Sequence, residues 1–85
     1  MKHAGPDALD RLEPLIARIR ELPGLAEKAR GVFYRKSRAF LHFHEDPKGL
    51  FADIRVQGED FERIDVTGPE GGDRLLAMAR AGLEP

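Results

Sequence analysis

The chain has no cysteine. That excludes a disulfide framework, a thiolate zinc site and a thiol redox centre. Long apolar runs are missing too. No stretch approaches the ~18 apolar residues of a membrane-spanning helix, and the opening MKHAGPDALD lacks the apolar segment of a secretory signal. The expectation is a cytoplasmic protein with no membrane association. An excess of either charge is also absent. Fourteen Lys and Arg against fifteen Asp and Glu leave a net charge of -1, whereas a domain devoted to phosphate-backbone binding is plainly basic. Hydroxyl nucleophiles are scarce: Ser37 is the only serine and Thr67 the only threonine. Each sits where turn or helix-start chemistry accounts for it. Gly68, Gly71 and Gly72 lack the lysine of a phosphate-binding loop. No catalytic constellation emerges, so the chain is expected to be non-enzymatic and to need no cofactor.

What is present is charge of both signs. Charged residues make up 34% of the 85, mostly Arg and Glu, a bias shared with thermophile surfaces. The length suits one domain, 1–85, and a core this small rarely leaves more than ~3–5 kcal/mol of net stability. Self-association would relieve that shortage.

Met1 to Gly5 reads as a frayed end. Leu9, Leu12, Leu15, Ile16, Ile19 and Leu22 then recur in steps of three and four, which marks one helical face. Asp10 with Glu13 has capping-box spacing, and Pro14 is best tolerated in a first turn. The helix is therefore expected to start at Asp10 and run to Leu22, ended by Pro23-Gly24. Leu25 to Arg30 reads as a helical turn or loop. Four strands follow: Val32–Arg35, Ala39–His44, Leu50–Val56 and Phe61–Val66, each alternating as half-buried antiparallel strands do. Leu41, Phe43, Leu50, Ala52, Ile54, Val56, Ile64 and Val66 form the expected core. Asp46-Pro47-Lys48-Gly49 suits a turn that would pair Asp46 with Leu50. The hydrophobic pattern instead pairs Leu41 with Ile54, and it is preferred, because a one-residue slip would bury two histidines. Thr67 and Glu70 have capping-box spacing before a second helix of about Glu70–Ala81. Gly71-Gly72 weakens its start, and Gly82 is its expected stop. The fold expected is α+β: a four-stranded antiparallel sheet flanked by N- and C-terminal helices.

Three surfaces carry chemistry. His42 and His44 are two apart on a strand and share a face, with Asp53 across the hairpin as a third metal ligand. Arg30, Tyr34, Arg35, Lys36 and Arg38 interleave with aromatics, a composition that suits single-stranded nucleic acid. Phe40 and Phe51 fall on the sheet face away from the helices and suit the interface of a homodimer.

Leu22-Pro23-Gly24-Leu25, then Phe33 to Phe40 (FYRKSRAF), then Gly49-Leu50 entering a strand, resembles the front half of the MmcQ/YjbR-like family of small bacterial proteins. Ser37 and Arg38 stand where that family usually has Gly and Lys, and its later lobe has no counterpart here. The resemblance covers 22–56. It implies a secretion-chaperone-like sheet with helices, a possible link to DNA, and no catalysis. The expected role is protein–protein contact by a homodimer. Nucleic-acid binding and a metal-dependent activity at His42/His44 are the alternatives.

Overall fold

A computed structural model describes residues 1–84. It contains β1 (Lys2–His3), α1 (Pro6–Arg20), β2 (Ala26–Ala29), β3 (Val32–Arg35), β4 (Arg38–Asp46), β5 (Gly49–Ile54), β6 (Glu62–Asp65) and α2 (Pro69–Leu83). The class is α+β, with one helix near each end of an antiparallel sheet. The sheet has six strands rather than four, in the order β2-β3-β4-β5-β6, with β1 on β4.

Helix α1 begins earlier than its capping-box spacing suggested. Pro6 takes the first turn, where its missing N–H costs nothing, and Gly5 is the N-cap with no side-chain cap. The Gly5 N–H donates instead to Glu45 Oε2 of β4 at 2.6 Å. Asp10 and Glu13 do not cap the helix; both accept hydrogen bonds from Arg30. Pro14 lies inside the helix. It and Asp10, whose carbonyl loses its partner, are both exposed, so the gap in the ladder is on the wet side. Ala8, Leu12, Ile16 and Ile19 form the buried stripe. The helix stops at Arg20, two residues before the expected Leu22, with Leu22 N–H turning back to the Ile19 carbonyl at 3.0 Å.

The two added strands come from segments read as irregular. Leu25–Arg30 contains β2, a hairpin partner of β3. All four of its residues are exposed, and Glu27 and Lys28 discourage further pairing at that edge. The N-terminal segment contains β1, whose Lys2 and His3 lie opposite Glu45 and His44. β5 occupies one edge of β4 and β3 the first part of the other, so β1 continues the edge that β3 leaves.

The β4–β5 register follows the hydrophobic pattern. Leu41 faces Ile54 and Asp46 faces Gly49. The link is then the two residues Pro47-Lys48, with the Lys48 N–H on Asp46 Oδ1 at 3.1 Å. Lys36 and Ser37, which join β3 to β4, both take positive φ, the twist a two-residue hairpin loop needs.

The core joins α1, α2 and one face of the sheet, with Ile16, Ile19, Leu41, Ile54, Leu75 and Leu76 almost wholly inaccessible. Every expected core residue belongs to it except Val56, which packs at its margin. Phe40 joins it unexpectedly. Phe33 faces Leu41 while Tyr34 faces Ala39, so Phe40 is an extra residue in a bulge. That breaks the alternation and buries Phe40 beside Leu41.

Helix α2 starts at Pro69, one residue before the expected Glu70, with Gly68 as N-cap. Thr67 is not the cap. Its hydroxyl oxygen accepts the Leu50 N–H at 2.9 Å. Gly82 lies within the helix, packed against Val56, and does not end it.

Candidate metal centre

Pairing sets the site. His42 and His44 are on the same side of β4, and His3 is directly opposite His44 through the β1–β4 pairing. Side chains opposite one another across an antiparallel pair share a face, so all three imidazoles meet. The His3–His44 and His42–His44 ring centroids are each 4.8 Å apart, and His3–His42 5.6 Å. One nitrogen from each ring lies within 4.8 Å of those of the other two. Tetrahedral zinc with Zn–N near 2.0–2.1 Å places its ligand nitrogens roughly 3.4 Å apart. The rings would have to turn toward one another to close that difference. The short Gly5-Pro6 link to α1 and the Ala4 N–H donated to the Phe43 carbonyl at 3.1 Å hold the strand bearing His3 in place.

Asp53 is opposite His42 on β5, as expected, but it is already engaged. Arg63 donates to both its oxygens at 2.8 and 2.9 Å. This bidentate pair holds the carboxyl below its ordinary range, against the opposing effect of burial. Its Oδ2 also comes within 3.2 Å of His44 Nε2, misaligned for a hydrogen bond. Asp53 thus lies behind the histidines, paired with Arg63, and the side chains whose donor atoms come within reach of one another are His3, His42 and His44.

Burial lowers the pKa of His42 and, separately, that of His44. The neighbouring histidines push the same way, and Asp53 opposes them. The neutral imidazole, the form that binds metals, is favoured. Among the described residues, the buried side-chain nitrogens and oxygens without a hydrogen-bond partner are His42 Nδ1 and both ring nitrogens of His44. Buried polar atoms are rarely left so, and here all of them lie at one site. Beside it Phe61 packs on His42 at 5.1 Å, and the Arg55 guanidinium lies over the Phe61 ring at 4.7 Å.

The basic set is dispersed. Arg30 is held by Asp10 and Glu13, and Lys28 lies 6.0 Å from the half-buried Tyr34 ring. Arg35, Lys36 and Arg38 gather instead around a pocket at the β3–β4 turn. Phe51 is half-buried on the sheet face of the histidines, whereas Phe40 is in the core. His3 had no signal of its own in the sequence, since its place depends on a two-residue strand.

No helix is long and apolar enough to cross a membrane among the described residues. Comparison of the chain with protein-family models, curated proteins and solved structures finds no match in any of the three.

Proposed function

We propose that the chain binds a divalent transition-metal ion through His3, His42 and His44, with Asp53 and Arg63 as the charged pair behind them. The observation that supports this reading is the convergence of three histidines, two of which, His42 and His44, carry buried ring nitrogens with no hydrogen-bond partner. Imidazole donors suit zinc, copper, nickel and iron. Three protein ligands leave a coordination position open to a further ligand. No reaction is assigned to it.

The expected protein-contact role has less support, because Phe40 is spent on the chain's own core. The likeness to MmcQ/YjbR-like proteins, and with it a secretion-chaperone-like fold, is retained as a proposal resting on the sequence of 22–56.

Zinc added to chelator-treated protein tests the metal reading. At a free concentration ~100 times Kd, preferential binding to the native state raises Tm by roughly 10 °C or more for a domain of this size. His3→Ala and His42→Ala should each abolish most of that rise. An equal rise in His3→Ala and the wild type would refute the three-histidine site.

A further inference from the structure

The pocket at the β3–β4 turn lies at the end of the sheet where Arg38 begins β4, away from the strand ends that carry His44. It has a volume of about 250 Å3, and Arg35, Lys36, Arg38 and Arg55 line it together with Phe40 and Val56. No carboxylate lines it among the described residues. Four cations around one small space are unusual in a chain whose net charge is -1. Of the seven arginines elsewhere, four rest on acids: Arg18 on Asp73, Arg20 on Glu13 and Glu27, Arg30 on Asp10 and Glu13, Arg63 on Asp53.

At this pocket the anchors are mostly carbonyls. Arg35 donates to the Gly82 and Leu83 carbonyls near the C-terminus of α2. Arg55 donates to the Ala39 carbonyl at 2.6 Å. Arg38 reaches the Gly58 carbonyl at 3.4 Å and Glu59 at 3.2 Å. The Glu59 side chain is 87% exposed, so water screens it. A carbonyl orients a guanidinium without cancelling its charge. Arg38 and Arg55 each use only one terminal nitrogen, which leaves much of each fork free to grip an oxyanion. Lys36 makes no ion pair among the described residues and sits on the tight turn at the rim.

We infer that this pocket binds a small organic phosphate monoester, its phosphate between Lys36, Arg38 and Arg55 and its organic part against the half-buried Val56. Charge and size both favour that class. A dianion matches an unneutralised cation cluster better than a single carboxylate does. The volume is below the ~300 Å3 at which drug-sized ligand sites begin, so it admits a compact monoester. Polynucleotide binding would instead need several exposed bases stacked on aromatic rings, and Phe40 is buried.

The test is titration of the isotopically labelled protein with phenyl phosphate at ~150 mM salt, a level that screens diffuse surface attraction, followed by amide chemical shifts. Saturable shifts should centre on Ala39, Phe40, Gln57 and Gly58, with inorganic phosphate binding more weakly. Arg38→Gln and Lys36→Gln, both at exposed positions, should each weaken binding about tenfold, the scale of one charge-assisted contact, with Tm unchanged. Shifts spread evenly over the surface, or an affinity unaltered in Arg38→Gln, would overturn the inference. So would equal affinity for inorganic phosphate. A single-stranded oligonucleotide that displaces phenyl phosphate with a steep salt dependence would also overturn it, by making nucleic acid the ligand.

Discussion

Glycine in a helix ordinarily costs about 1 kcal/mol relative to alanine, which is why Gly71-Gly72 reads as a weak helix start. At Gly71 a second effect is larger. A Cβ there would collide with the Asp65 carbonyl, whereas one at Gly72 would meet Leu15 at ordinary van der Waals distance. Gly71 lets α2 lie against the end of β6. Gly71→Ala is therefore expected to destabilise the chain by ~1–3 kcal/mol, the range for overpacking, despite its better helix propensity; a rise in stability on chemical denaturation would contradict the close approach. Asp53 is the corresponding residue at the site. Its role behind the ligands predicts that Asp53→Asn weakens zinc binding by ~10–100-fold without abolishing it, measured by calorimetric titration. Complete loss would make Asp53 a ligand. His42 and His44 were legible because strand residues two apart share a face. His3 was not, because nothing local marks which residue a distant strand will bring opposite.

At the scale of elements, the legible strands were those with one buried face. β3 was placed to the residue, and β4, β5 and β6 were found with their ends shifted by one or two positions. β1 and β2 were missed because every residue in them is exposed. A strand that buries neither face has no alternation to display. β2 is also tied to α1 by charge: Arg20 bridges Glu27 of the strand and Glu13 of the helix. The hydrogen bond from Arg20 holds Glu27 below its ordinary value of 4.5. A carboxylate with a depressed folded pKa stabilises the fold above its unfolded pKa, and loses that effect as pH falls through the folded value. Glu27→Gln should therefore melt below the wild type at pH 7, with the gap closing as pH drops below about 4.5. A gap independent of pH would mean that Glu27 acts through its Gly31 backbone contact rather than its charge.

Over the whole molecule, the helices and the core occupy one side of the sheet, and the histidines, Phe51, Asp53 and Arg63 the other. An interface between copies was expected from two phenylalanines on that second side. With Phe40 turned into the core by the β4 bulge, Phe51 is the one that remains there. Sedimentation equilibrium of metal-free protein is accordingly expected to give the 9.5 kDa monomer. A dimer that Phe51→Glu dissociates would restore the sheet-to-sheet contact.

An ion bound as proposed draws three histidines together, two from β4 and one from β1. Zinc titration of metal-free protein, followed through the histidine ring resonances by NMR, tests it most directly. The resonances of His3, His42 and His44 should shift together and the shifts be complete at one equivalent, with the Lys2 and His3 amides gaining protection from exchange as β1 is locked to β4. Shifts confined to His42 and His44, with His3 unmoved and β1 exchanging as before, would contradict it.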